Sequence, residues 1–179
     1  MTLAEIYPKL CEPFPMDLIE IRPGATTRDK ARALAMPYAD IRVYQQALDD
    51  IVGPDHWQVS YRPMGDGAII CQLTIRGVTR EDAGELGEDA ENRYTSAIAQ
   101  AFKRACSAFG LGRYLYELPT VWGDYDPDRR SFKDPQAVIE QIYSQAKITQ
   151  APLAFAPSAA AKPATEKSKW SSKPVKSSD

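Results

Sequence analysis

A chain of 179 residues that is 44% hydrophobic has material for one domain with a real core, plus an appendage. Its formal charge of −2 excludes a uniformly basic polyanion binder, and its apolar runs are far too short to span a bilayer. The N-terminal MTLAEIYPKL has no basic region leading into a hydrophobic one, so the expectation is a cytosolic protein.

Leu3, Ile6, Tyr7 and Leu10 recur at helical intervals, and Pro13 and Pro15 end that first helix. Leu18, Ile19 and Ile21, with Glu20 and Arg22 between and after them, read as a brief strand closed by Pro23 and Gly24. The next piece, ATTRDKARALAMPYAD, is ambiguous, because its alanines favour helix without fixing one. Asp40 stands where a helix N-cap belongs, ahead of a stripe of Ile41, Tyr44, Leu48 and Ile51 or Val52 that Gly53 and Pro54 end.

The period then changes to two. Trp57, Val59 and Tyr61 alternate with polar residues, MGDG turns the chain, and Ile69, Cys71, Leu73 and Ile75 alternate with Ile70, Gln72, Thr74 and Arg76. This is a β-hairpin with one buried face. Gly77 to Glu85 continues it into a third strand, and GELGEDAEN is a polar connection to the long helix that follows.

That helix opens the stretch Arg93 to Leu118. Tyr94, Ile98, Ala101 with Phe102, Ala105 and Phe109 form an apolar stripe, while Arg93, Gln100, Lys103, Arg104 and Ser107 fall largely off it. Alanines at 97, 99, 101, 105 and 108 leave little bulk, which predicts a close approach to a sheet. Gly110 and Gly112 stop the helix, and Arg113 to Tyr116 should dock back onto the core.

Beyond Pro119, VWGDYDPDRRSFKD reads as a turn-rich, charged connection. Asp134 and Pro135 take N-cap and first-turn positions of a last helix with Val138, Ile139, Ile142 and Ala146 inward. From Ala151 the composition falls to Ala, Pro, Ser and Lys, which predicts a disordered tail over 151–179 behind a domain over 1–150. The tail holds five lysines and two acids, whereas residues 1–150 hold 17 basic and 22 acidic groups. Any polyanion site on the domain must therefore gather its cations in one place. The fold class is α+β: a small antiparallel sheet packed on a long basic helix, with flanking helices.

Several chemistries lack their residues. No glycine-rich loop ends in Lys and Ser or Thr to cradle a nucleotide's phosphates. His56 is the sole histidine, and Cys11, Cys71 and Cys106 are scattered and odd in number, so they read as reduced packing residues. Asp124, Asp126 and Asp128 sit in turns as solvated surface, although a metal-dependent nuclease assembled from them is the enzyme reading. No catalytic residue, metal or cofactor is otherwise expected. Lys103 and Arg104, adjacent and roughly 100° apart around the helix, span a cationic edge.

The run Phe102, Lys103, Arg104, Ala105, followed by Phe109, Gly110, Leu111, Gly112, Arg113, Tyr114, Leu115 and Tyr116, resembles the Rad52 superfamily of single-strand annealing proteins. The bacterial branch typified by DNA damage response protein A is the nearest likeness, over roughly residues 5 to 120. The resemblance implies a strand near Ala33 to Tyr38, a core of three strands on the long helix, and subunits assembled into a ring or arc. It also implies that Lys103 and Arg104 line a groove holding the DNA backbone, with Arg22 a further candidate. Arg62, Arg76 and Arg80 of the hairpin region extend the track without a motif of their own. Where vertebrate members carry another arginine three residues after Arg104, this chain has Ser107.

The expected function is single-stranded DNA binding, end protection and annealing without ATP, in a cytoplasmic, nucleoid-associated protein of DNA repair or recombination. A backbone grip suits it, since cations holding phosphates leave the bases free to test pairing. Tyr38, Tyr61 and Tyr114 are read as core aromatics rather than base-stacking ones. A single-strand-binding protein or a recombinase is the candidate protein partner, and no membrane is expected. The tail's lysines and Trp170 either attract DNA, dock on a partner or only solubilise. The competing readings are the nuclease and a double-stranded RNA-binding module, which also combines three strands with helices.

Overall fold

The computed structural model describes residues 1–88 and 91–148, so the tail expected from residue 151 lies outside the described residues. In chain order it has α1 (Leu3–Leu10), β1 (Ile19–Thr26), β2 (Arg32–Ala39), α2 (Ile41–Val52), β3 (Trp57–Met64), β4 (Ala68–Ile75) and β5 (Val78–Glu85). After these come α3 (Arg93–Ala108), β6 (Trp122–Asp126), β7 (Ser131–Phe132) and α4 (Pro135–Gln145).

Two antiparallel sheets result. The first has the order β3-β4-β5, with Tyr61 opposite Cys71 and Cys71 opposite Asp82. On β4 the period of two is complete: Ile69, Cys71, Leu73 and Ile75 are buried and face α3, while Gln72 and Thr74 stand on the other side. The second sheet has the order β1-β2-β6-β7. Its inner face, with Ile19, Ala33, Ala35, Ala39, Val121 and Tyr125, joins the core that Val138, Ile139 and Ile142 of α4 help to close.

The caps form as their residues dictate. The Asp40 carboxylate accepts from the Arg42 N–H, and Asp134 from the Ala137 N–H at 3.0 Å. Behind α3, Gly112 takes φ 71°, and an added Cβ there would strike the Tyr44 ring. The segment Arg113 to Tyr116 then docks as expected: the Tyr114 hydroxyl accepts from the Phe14 N–H at 3.2 Å and lies 3.1 Å from the Tyr143 hydroxyl. Cys71 and Cys106 are buried, Cys11 is exposed, and all three are free thiols.

Four expectations change. The first helix ends at Leu10, before either proline. Strand β1 continues through Pro23 and Gly24, because it is the edge strand of its sheet, where a missing N–H costs no ladder bond, and a bulge between Pro23 and Thr26 absorbs the irregularity. Residues 122–126 are a strand rather than a connection, pairing Leu34 with Trp122 and Ala33 with Gly123. Its alternation of buried Val121, Gly123 and Tyr125 is short and interleaved with charge, so composition hid it. On α3 the buried face is Ala97, Ala101, Phe102, Ala105 and Cys106, and Tyr94 is 56% exposed. Contact with the sheet follows the small residues, since they alone permit the approach at Gly84, where an added Cβ would lie 2.0 Å from the Ala97 carbonyl oxygen.

Candidate nucleic-acid interface

The alanines of β2 decide where its other side chains go. With Ala33, Ala35 and Ala39 turned into the core, Arg32, Leu34, Met36 and Tyr38 stand on the open face. Across the hairpin Glu20 is the register partner of Tyr38, and Arg22 of Met36, so both share that face. Lys103 reaches the same place from α3. Its ammonium nitrogen is 5.7 Å from the centre of the Tyr38 ring, and the Arg22 guanidinium carbon is 5.8 Å from it. One aromatic ring thus gathers two cations from elements 81 positions apart in sequence, an attraction owed to the ring's quadrupole.

The surroundings hold this arrangement and leave it positive. The Tyr38 hydroxyl donates to the Glu20 carboxylate, and burial together with that bond pushes the phenol up to about 12. The Asp40 carboxylate is engaged by its neighbour Arg42, whose N–H and Nε reach Oδ1 at 2.9 and 2.8 Å, and these bonds hold its pKa below the usual range. Burial lowers the Lys103 pKa and the Arg22 charge lowers it further, against the opposing pull of Asp40 and Glu20. Among the described residues neither Lys103 nor Arg22 forms an ion pair.

Arg104 turns the other way. Its Nε lies 3.1 Å from Asp82 Oδ1 on β5, with both side chains partly exposed. The Ser107 hydroxyl donates to the Arg104 carbonyl at 2.7 Å, so that position supplies no cation. Arg113 is close by, its Nε and one terminal nitrogen donating to the Ser107 and Ala108 carbonyls, each at 2.8 Å. Arg80 also donates to the Ala108 carbonyl and lies 4.7 Å from the Phe109 ring centre. Two arginines therefore cap the negative end of the α3 dipole.

Arg62 stands on the far face of the three-stranded sheet, 2.7 Å from Glu81, and Arg76 donates from the β4–β5 turn to the Val52 carbonyl at 2.7 Å. The structure thus brings Arg22 to Lys103, sets Arg104 and Arg80 along the β5 side of α3, and places Arg62 and Arg76 apart from both groups. Tyr38, expected in the core, faces outward instead, and Glu20 and Arg113 take parts that no motif announces. The alternation Ala33, Ala35, Ala39 was the signal that Tyr38 faces outward.

The acidic turn is occupied with its own backbone. The Asp126 carboxylate accepts from the Asp128 and Arg129 N–H groups at 3.0 and 3.1 Å. Among the described residues no cluster of three or more His, Cys, Asp or Glu side chains is placed to hold a metal ion, and no helix is long and apolar enough to cross a membrane. His56 is exposed in a short 3-10 turn.

Residues 2–130 match the model of the Rad52/22 family of double-strand break repair proteins, a span that contains Arg22, Tyr38, Lys103 and Arg104 together. The chain belongs to the Rad52/22 family. Within it, the chain falls in the DdrA branch: it is 37% identical over 136 residues to the single-stranded DNA-binding protein DdrA of Deinococcus radiodurans, and 34% identical over 143 residues to that of Deinococcus deserti. These alignments cover 74% and 78% of this chain but 65% and 71% of the relatives, so it spans less than two thirds of the first relative's length. The Rad52/22 match ends at residue 130, before α4 begins at Pro135.

Proposed function

We propose that this chain binds single-stranded DNA by its sugar-phosphate backbone along the surface joining Lys103 and Arg22, protects DNA ends and promotes annealing without nucleotide hydrolysis. The observation that carries the reading is the convergence on the Tyr38 ring of those two cations, neither of them ion-paired among the described residues. Support also comes from the Rad52/22 membership and from the curated relatives, both named for single-stranded DNA binding. Arg104, only partly neutralised by Asp82, adds a second cation on the other side of the helix. Arg80 extends that side, and Arg62 and Arg76 belong to the track only if the strand passes round the sheet.

The protein acts as a binding and annealing factor without catalytic residues, and a ring or arc of subunits makes the short groove of one subunit continuous. A cytoplasmic, nucleoid-associated setting follows from the substrate, with a single-strand-binding protein or a recombinase as the protein partner. Incubation with labelled complementary strands in Mg²⁺ and no ATP should give intact strands that pair faster than in its absence. Cleavage would indicate a nuclease, and preferential competition by duplex RNA a double-stranded RNA module. Images of the purified particle should show closed or open rings.

The depressed pKa of Lys103 gives a pH signature. A bound phosphate favours the ammonium form, so the pKa rises on binding from its lowered value in the free protein. Affinity is then complete below the free-protein pKa and falls, by up to about tenfold per pH unit, as pH rises through it. Titrations with oligo-dA should show this decline beginning below the ordinary lysine value of 10.5. Lys103→Arg, which stays charged, should remove it.

A further inference from the structure

The open face of the four-stranded sheet continues past Tyr38, and a backbone grip at Lys103 and Arg22 leaves the rest of it unused. Beyond Tyr38 it presents Met36, 43% exposed and opposite Arg22, then Leu34 with its register partner Trp122 on β6, and finally Arg32. Leu34 and Trp122 are half-buried, and the buried residues of these strands, Ala33, Ala35, Ala39, Gly123 and Tyr125, all lie on the opposite face. The strip is apolar in its middle and cationic at the end where Arg22 and Lys103 meet. Of its acids, Glu20 accepts from Tyr38, and the exposed Asp124 stands opposite Arg32 in register at the outer limit. Arg32 itself donates to the Trp122 carbonyl and so fixes the end of the strip.

From Tyr38 to Leu34 is four residues of strand, about 13 Å. That is roughly two nucleotides of extended single strand.

We propose that Trp122, flanked by Leu34 and Met36, is a base-stacking platform for the same strand whose phosphates lie on Lys103 and Arg22. This rests on the single-strand reading of the neighbouring cations and adds a second mode of contact to it. The occupant is argued from continuity, because the strip begins at Arg22 and shares a face with Tyr38, and from charge, because a polyanion suits the paired cations Lys103 and Arg22 at that end. A stacked base on every subunit would hold the strand in phase with the protein while the neighbouring bases stay free to pair. Stacking on an aromatic ring is indifferent to base identity, in keeping with annealing of any sequence.

The test compares a normal oligonucleotide with one of equal length built on abasic sugar-phosphate units. Trp122→Ala should weaken binding of the normal strand about tenfold and leave the abasic strand unchanged, while Trp122→Phe should retain most of the affinity. Lys103→Ala should weaken both strands alike. If Trp122→Ala affects neither strand while Lys103→Ala weakens both, the platform is wrong and the backbone grip stands. If the wild-type protein binds neither, both readings fall together. If Trp122→Ala breaks up the assembled particle and weakens both strands equally, the face is a joint between subunits and the platform is again wrong. Should both Trp122 variants lose the native circular dichroism of the wild type, Met36→Ala, on an exposed position of the same strip, must reproduce the selective loss on the normal strand, or the platform is rejected.

Discussion

Removing both cations at Tyr38, in a Lys103→Ala, Arg22→Ala double variant, should lower affinity for single-stranded DNA by at least about a hundredfold, since hydrogen bonds to charged groups contribute about 1.5–3 kcal/mol each. The loss should be the same for every base sequence, because phosphates carry no sequence information. The slope of log affinity against log salt should flatten by about 0.7 for each phosphate that is no longer neutralised. Folding should survive. Neither side chain is ion-paired among the described residues, and relief of their mutual repulsion offsets the missing attraction to the ring. Arg104→Ala should behave differently: part of its charge is already met by Asp82, so its effect on binding is smaller. Asp82→Asn, which frees Arg104, should tighten binding modestly. Fluorescence-anisotropy titrations at several salt concentrations separate these outcomes, and a double variant that binds like the wild type at all of them would place the groove elsewhere.

The order of elements was legible where one physical signal dominated. On β4 four buried apolar residues alternate with four others, and on α2 an N-cap Asp and a terminal Gly frame a single stripe. Strand β2 carried two signals at once. Its alanines suit a helix by propensity, yet here Ala33, Ala35 and Ala39 are the buried side of a strand held between β1 and β6, a placement visible only when β6 is in place. Missing β6 also hid the open face, and with it the positions of Tyr38 and Trp122. The cationic pair was half legible. Lys103 stood out through the motif around it, but its companion proved to be Arg22, brought close by a hairpin whose path through Pro23 could not be read locally. The neighbour Arg104 is directed by Asp82, a non-local partner that no spacing rule announces.

The position of α3 over the sheet makes Gly84 the most sensitive site for stability. Its backbone is not in the left-handed region, so another residue meets no conformational strain of its own, and the obstacle is steric alone. A Cβ at Gly84 would lie 2.0 Å from the Ala97 carbonyl oxygen and 2.7 Å from the Ala101 nitrogen, where ordinary contact begins at 3.4 Å. Both atoms belong to the helix backbone, so no rotamer change relieves the clash and α3 must rise from the strand. Ala97, Ala101 and Ala105, all buried, then pull away from the sheet together. Gly84→Ala should cost about 3 kcal/mol, the upper end for overpacking, and lower the melting temperature by roughly 10 °C. Gly84→Val should cost more. Gly87→Ala, where an added Cβ meets nothing within 4 Å, is the matched control and should be nearly neutral. A second change of Ala97→Gly should not rescue Gly84→Ala, because the atom in the way is a carbonyl oxygen that glycine keeps. The same lift carries Lys103 away from Tyr38, so folded Gly84→Ala protein should also bind single strands more weakly and show less of the alkaline decline assigned to Lys103. Thermal melts of Gly84→Ala that overlay the wild type would mean that the helix does not sit this close to β5.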